Sequence, residues 1–231
     1  MELQILSAGA AKGLVNALEK AFSRAAGATL QASFGAVGAM KEKLLGGAPC
    51  DIVILTAALI DELAQTGHVR GNTSAALGRV RTGIAVRHGQ PVPDISNRAF
   101  LKVSLLTADG IYLPDPQRAT AGIHFVNVLK QLGIHSETEA HLRPYPNGAT
   151  AMLELAKSAA PRLIGCTQIT EINYTKGVML VGPLPGEFDL STVYSATVCT
   201  KARNPELAQR FVELLAGAES EDLREQGGFE C

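Results

Sequence analysis

The sequence predicts an α/β protein of two Rossmann-like lobes joined by two crossing strands. Three observations predict it. Short apolar runs alternate with helical periodicity three times before residue 66, the pattern of a parallel sheet with right-handed crossovers. A second alternation follows the loop His88–Ile95, which holds Gly89, Pro91 and Pro93. The last strand and helices have no further strands to join, so they must pack back on the first unit. This makes lobe I discontinuous, residues 1–82 plus 193–231, with lobe II at 83–192 and a ligand cleft expected between them.

Each element has its own warrant. Leu3–Leu6 is an apolar run, and Ala11–Ala25 carries Leu14, Leu18 and Phe22 at helical steps. Thr29–Phe34 and Asp51–Leu55 read as strands, followed by helices at Ala39–Leu45 and up to Gln65. Arg79–Arg87 reads as a longer strand, and Ser96 as the cap of a helix ending at Leu106. Gly110–Leu113, His141–Tyr145 and Leu163–Thr167 are strands, with helices at Ala121–Leu132 and Gly148–Ser158. Ser191–Lys201 is the second long strand. Pro205 opens a helix at its first turn, with Leu207, Phe211 and Leu214–Leu215 on one face, and Ala218–Glu225 continues as a short helix.

Composition narrows the function. The 231 residues carry 46% hydrophobic and 19% charged residues and a net charge of −1, so the chain is globular with no basic excess for nucleic acid. Trp is absent and aromatics are few, which disfavours base or sugar stacking. Cys50, Cys166, Cys199 and Cys231 lie far apart without metal-ligand spacing; the first three read as small buried hydrophobes, and neither metal nor cofactor is expected. Met1-Glu2 leads straight into the first strand, so the chain as written reads as cytoplasmic; a periplasmic protein with its leader removed presents the same start.

The ends of the strands are the informative places. Leu3–Leu6 stops at Ser7-Ala8-Gly9, the second strand at Gly35-Ala36-Val37-Gly38 and the third at Thr56-Ala57. Small residues there let a ligand approach the first N–H groups of a helix, which have no internal partner and sit at the positive end of the helix dipole. Such places attract anions. Each also has a plain structural reading: Ser7 or Thr56 as a helix cap, the Gly-rich segment as a tight turn.

The motifs Ser7-Ala8-Gly9, Phe34–Met40, Pro49–Leu55 and Asp115-Pro116 with Thr120–Ile123 resemble the molybdate-binding-protein family of ABC-transporter receptors, over essentially the whole chain. The resemblance implies the type II periplasmic-binding-protein fold. Further segments, Gly83–Arg87, Pro93–Ser96, Ile164–Ile172 and Gly177 through Pro185, are similar to the aconitate isomerases, enzymes on the same fold that move a double bond of an unsaturated tricarboxylate without metal or cofactor. The chain departs from the molybdate pattern at Gly35–Gly38, where those receptors present a second hydroxyl; here only backbone N–H groups remain.

The resemblance implies a small-anion binding protein, for a carboxylate or oxyanion, with an aconitate-isomerase-like enzyme as the alternative and a transporter permease as partner if exported. It favours ligand contact for Ser7 and for Thr120-Ala121-Gly122, expected at a helix start facing lobe I. Asn147 is open between cap and contact, and Gln168 at a strand end offers an amide to a carboxylate. Arg118 and Arg143 are the cations best placed by position, ahead of Arg87 and Lys12. For proton transfer His124 stands first, with Tyr112, Tyr145 and Glu171 also near the expected site.

Overall fold

In a computed structural model that describes residues 1–231, the chain divides into two compact units, 1–80 with 192–231 and 81–191. In chain order the elements are β1 (Glu2–Ala8), α1 (Lys12–Ala26), β2 (Thr29–Gly35), α2 (Val37–Leu45), β3 (Ile52–Thr56), α3 (Ala57–Gln65), β4 (Ala75–Arg87), α4 (Arg98–Leu106), β5 (Gly110–Pro114) and α5 (Thr120–Gln131). They continue as α6 (His135–Thr138), β6 (Leu142–Tyr145), α7 (Gly148–Lys157), β7 (Leu163–Gln168), α8 (Ile169–Tyr174), β8 (Val178–Pro183), β9 (Ser191–Val198), α9 (Pro205–Ala216) and α10 (Glu221–Gly227). The chain passes from one unit to the other within β4 and again at the start of β9.

The first unit holds the strand order β2-β1-β3-β9. The first three strands are parallel and β9 runs against β3. Strand β3 shows why its sequence is apolar throughout. Ile52 and Ile54 enter the core under α1 and α9, while Val53 and Leu55 enter the opposite core with Met40, Ile60 and Leu63. A sheet covered on both faces requires this. The periodicity of α1 buries Leu14, Val15, Leu18 and Phe22, and Gly27 ends the helix in the left-handed conformation that glycine adopts without strain. Pro205 occupies the first turn of α9, whose Phe211 ring lies 4.7 Å from that of Phe22.

The second unit holds β8-β4-β7-β5-β6. Strands β5, β6 and β7 are parallel, and β4 runs against both β7 and β8. Its two cores divide the same way: Ile84, Ile111, Leu113 and Cys166 on one face, Ala85, Tyr112, Met152 and Leu163 on the other.

Some boundaries differ from the expectation. The helix after residue 95 is capped by Asn97, whose Oδ1 accepts from the N–H groups of Ala99 and Phe100, not by Ser96. Ser96 instead donates its N–H to Asp94. Helix α2 begins two residues before Ala39, and β9 ends at Val198, three residues short of Lys201. Elements α6, α8 and β8 had no counterpart in the element assignment from sequence. Cys50, Cys166 and Cys199 are buried free thiols; the Cys199 Sγ–H points to Cys50 Sγ at 3.3 Å.

Candidate functional site

In each unit the carboxyl ends of three parallel strands form one rim, and a helix starts from each. In the first unit Ala8 lies beside Gly35 in the β1–β2 register, and Ser7 is opposite Ile54 of β3. The rim therefore gathers Ser7, Ala8 and Gly9, then Gly35, Ala36 and Val37, then Thr56 and Ala57.

The three helix starts differ in their hydrogen bonding. Ser7 is fully buried, and its hydroxyl donates to the Ala8 carbonyl at 2.9 Å, so it does not cap its helix. A short 3-10 turn at Gly9–Ala11 leads into α1. Helix α2 opens at Ala36 with no side-chain cap. Helix α3 is capped by Thr56, whose Oγ1 accepts the Leu59 N–H at 3.4 Å. Lys12, at the first position of α1, lies over the Phe34 ring, 5.8 Å from its centre.

In the second unit Pro114 lies beside Tyr145 and Tyr112 beside Gly165, which brings the ends of β5, β6 and β7 together. Helix α5 opens at Ala119 without a side-chain cap, so Thr120 is its first residue and caps nothing. The turn before it is set by Asp115, whose Oδ1 accepts the N–H groups of Gln117 and Arg118. Gly122 has a packing reason to be glycine. A Cβ there would stand 2.4 Å from the carbonyl oxygens of both Pro114 and Asp115. Ala121 beside it is buried.

Helix α7 is different, because the protein itself satisfies its start. Asn147 caps it, with Oδ1 accepting from the N–H and the hydroxyl of Thr150 at 2.9 and 3.0 Å. Glu171 is buried, accepts the Thr167 hydroxyl at 2.5 Å, and packs on Gly148, where a Cβ would meet its Oε2 at 1.9 Å. A carboxylate at a helix N-terminus is favourable through the dipole. Asn147 is therefore the cap of α7, and the Glu171 side chain packs on the first residue of that helix. Burial and the neighbouring Glu171 raise the Tyr174 phenol pKa well above its usual value.

Gln168 closes β7. It is 3% exposed, stands at the cap position of α8 without capping it, and neither its Oε1 nor its Nε2 has a hydrogen-bond partner. Directly opposite it across β4–β7 is Thr82, fully buried with an unpartnered hydroxyl. Thr170 adds another such hydroxyl two residues on. Sequence reasoning named Gln168 but missed Thr82. Only the antiparallel register places a residue 86 positions away beside it.

The two arginines do not behave alike. Arg118 is exposed in the loop that leads into α5. Arg143 lies within β6, and its guanidinium donates to the carbonyls of Ala140 and Leu142, which precede it, so it turns away from the rim at Tyr145. His124 is also engaged: its Nε2 lies 2.7 Å from the Phe188 carbonyl, to which it can only donate. That leaves Nδ1 alone for accepting a proton. Tyr112 and Tyr145 stack with ring centres 5.9 Å apart, and burial, then the Tyr112 neighbour, raises the Tyr145 phenol pKa, keeping it a hydrogen-bond donor. Each rim thus offers helix-start N–H groups and a hydroxyl, and the second also carries the buried carboxamide of Gln168.

Comparison with known proteins places the chain in a family and matches its fold. The family model of the bacterial extracellular solute-binding proteins matches residues 3–230. An aconitate isomerase from a Pseudomonas species is 28% identical over 236 residues, covering 98% of this chain and 87% of the relative. The periplasmic molybdate-binding protein of Azotobacter vinelandii has the same fold, with a TM-score of 0.83 at 17% identity over 99% of both chains. So has the sulfate-binding protein SubI of Mycobacterium tuberculosis H37Rv, with a TM-score of 0.77 at 16% identity over 99% of this chain and 86% of that one. The fold is that of the type II periplasmic-binding proteins, and the chain belongs to the bacterial extracellular solute-binding protein family.

Proposed function

We propose that this protein binds a small anion, a carboxylate or an oxyanion, on the strand-end rims. One observation carries the reading. Helices α2 and α5, nine and twelve residues long, begin at Ala36 and Ala119 without a side-chain cap, whereas α3, α4 and α7 are capped by Thr56, Asn97 and Asn147. An anion at the start of α2, or at the start of α5, supplies what those side chains supply elsewhere. Ser7, Ala8, Gly9, Gly35, Val37 and Ala57 complete the contacts of the first unit's rim, and Thr120, Ala121, Gly122 and Gln168, with the exposed Arg118, those of the second. Membership of the solute-binding family supports it, as do molybdate- and sulfate-binding proteins of the same fold. No helix is long and apolar enough to cross a membrane. On this reading the protein works in the periplasm and hands its ligand to an ABC-transporter permease, in place of the cytoplasmic site expected from its first residues.

A second reading, a cofactor-independent isomerase, is favoured by the 28% identical aconitate isomerase. In it His124 Nδ1 is the group left to move a proton, since Nε2 is held by Phe188.

Thermal melting with molybdate, sulfate, trans-aconitate and citrate separates the two when paired with ultraviolet absorbance of aconitate. A ligand at 100 times its Kd stabilises by ~2.7 kcal/mol, or roughly 5–10 °C for a chain of this size. The binding reading expects such a rise with at least one anion and no turnover. Ser7→Ala should cut the rise by half or more. No shift with any of the four, nor with malate, succinate, tricarballylate or phosphate, ends the anion reading, and turnover at catalytic protein concentration transfers it to the isomerase.

A further inference from the structure

We propose that the ligand is an anion that itself carries an O–H donor, read by Gln168 with Thr82; this rests on the anion-binding reading and sharpens it. Seven buried side-chain polar atoms lack a partner, and four of them are Thr82 Oγ1, Gln168 Oε1, Gln168 Nε2 and Thr170 Oγ1. They are not scattered. Thr82 and Gln168 are cross-strand neighbours, so their side chains leave the same face of the sheet with Cβ atoms roughly 5 Å apart. Thr170 follows in the first turn of α8. Buried polar atoms are nearly always paired, so a cluster of four is kept for something that pairs them.

The kind of atom decides the chemistry. A carboxamide presents two donor hydrogens on Nε2 and an acceptor on Oε1, and a hydroxyl gives one hydrogen and accepts. A fully deprotonated tetrahedral oxyanion, or a carboxylate without further polar groups, offers acceptors only. It satisfies Nε2 and the threonine hydroxyls, but it leaves Gln168 Oε1 unpaired and facing negative charge. An anion with an adjacent O–H group satisfies both sides at once: its oxygens accept from Nε2 and its hydroxyl donates to Oε1. A 2-hydroxycarboxylate and the hydrogen form of phosphate both have this chemistry.

Calorimetric titration of the full chain with matched pairs tests it and separates the sources. The pairs are malate against succinate, citrate against tricarballylate, and phosphate near its second pKa against sulfate. The expected result is that at least one O–H-bearing member binds about tenfold or more tighter than its partner, the loss expected when a buried acceptor is left unpaired. Preference within the acid pairs identifies a hydroxycarboxylate, and preference within the inorganic pair identifies a hydrogen phosphate. Gln168→Leu should bring the favoured pair to within about twofold. Thr82→Val, close in shape and still β-branched, should narrow it without unfolding the sheet. Equal binding within every pair, or a preference that survives both substitutions, overturns the proposal while leaving anion binding intact. Silence from all six probes, with molybdate and trans-aconitate silent too, instead removes the anion reading on which it stands.

Discussion

Gly148→Ala is expected to lower the stability of the protein by about 3 kcal/mol or more, read as a fall in the urea midpoint. A Cβ at this position would lie 1.9 Å from Glu171 Oε2 and 2.0 Å from Thr167 Oγ1, where atoms cannot overlap. Neither neighbour is a flexible tip in open space. Glu171 is 5% exposed and Thr167 fully buried, and the two are hydrogen-bonded to each other. The methyl must therefore break the Thr167–Glu171 bond or push α7 from β7. The first leaves a buried carboxylate short of a partner; the second opens the core around Met152 and Leu155. Glu171→Ala removes the nearer obstacle, so the double variant should cost clearly less than the sum of the two singles. Additive costs, or a midpoint unchanged in Gly148→Ala, would show that the carboxylate does not sit on the start of α7.

This contact also shows how much of the site was legible in the sequence. The rims were, because each is local: an apolar run ends in Ser7-Ala8-Gly9 or Gly35-Ala36 and a helical period begins at once. The strands β1, β3, β5 and β7, buried on both faces, were legible for the same reason, and β2 by the alternation that buries Leu30 and exposes Thr29 and Gln31. What could not be read depends on pairing across long separations. Glu171 looks like a surface acid on a short segment, and only packing 23 residues away shows that it serves Gly148. Thr82 gains meaning from the β4–β7 register alone. Arg143 had the right position near a strand end, but its fork was claimed by the carbonyls of Ala140 and Leu142. The omitted α8 has six residues, too few for a helical period to show, and three of them, Ile169, Thr170 and Ile172, are β-branched. Strand β8 ends in Gly182-Pro183, residues that disfavour a strand interior and suit one that pairs only with β4.

Asp51→Ala is expected to cost about 3–5 kcal/mol, the range for a buried charged group whose partners are left behind. Asp51 is 2% exposed and precedes β3. Its Oδ2 accepts the Gln4 N–H at 2.8 Å, and its Oδ1 accepts the Arg203 N–H at 2.6 Å and, more weakly, the Asn204 N–H at 3.5 Å. One carboxylate therefore joins β1 to the segment that opens α9, which returns to the first unit from 152 residues further along the chain. That α9 has no side-chain cap of its own at Asn204 gives the charge a second use, since it lies at the positive end of a twelve-residue helix. Alanine removes the acceptors and leaves the Gln4 and Arg203 N–H groups without them. Asp51→Asn keeps the shape and one acceptor but turns an NH2 group toward a backbone donor, so it should recover less than half of the loss. Urea unfolding gives the energies, and hydrogen exchange locates them. Protection at Gln4 and Arg203 should fall first, ahead of β5 and β7 in the other unit. A loss below about 1 kcal/mol, or exchange that rises equally in both units, would mean that the hydrophobic seam of Phe22 and Phe211 alone holds the returning segment in place.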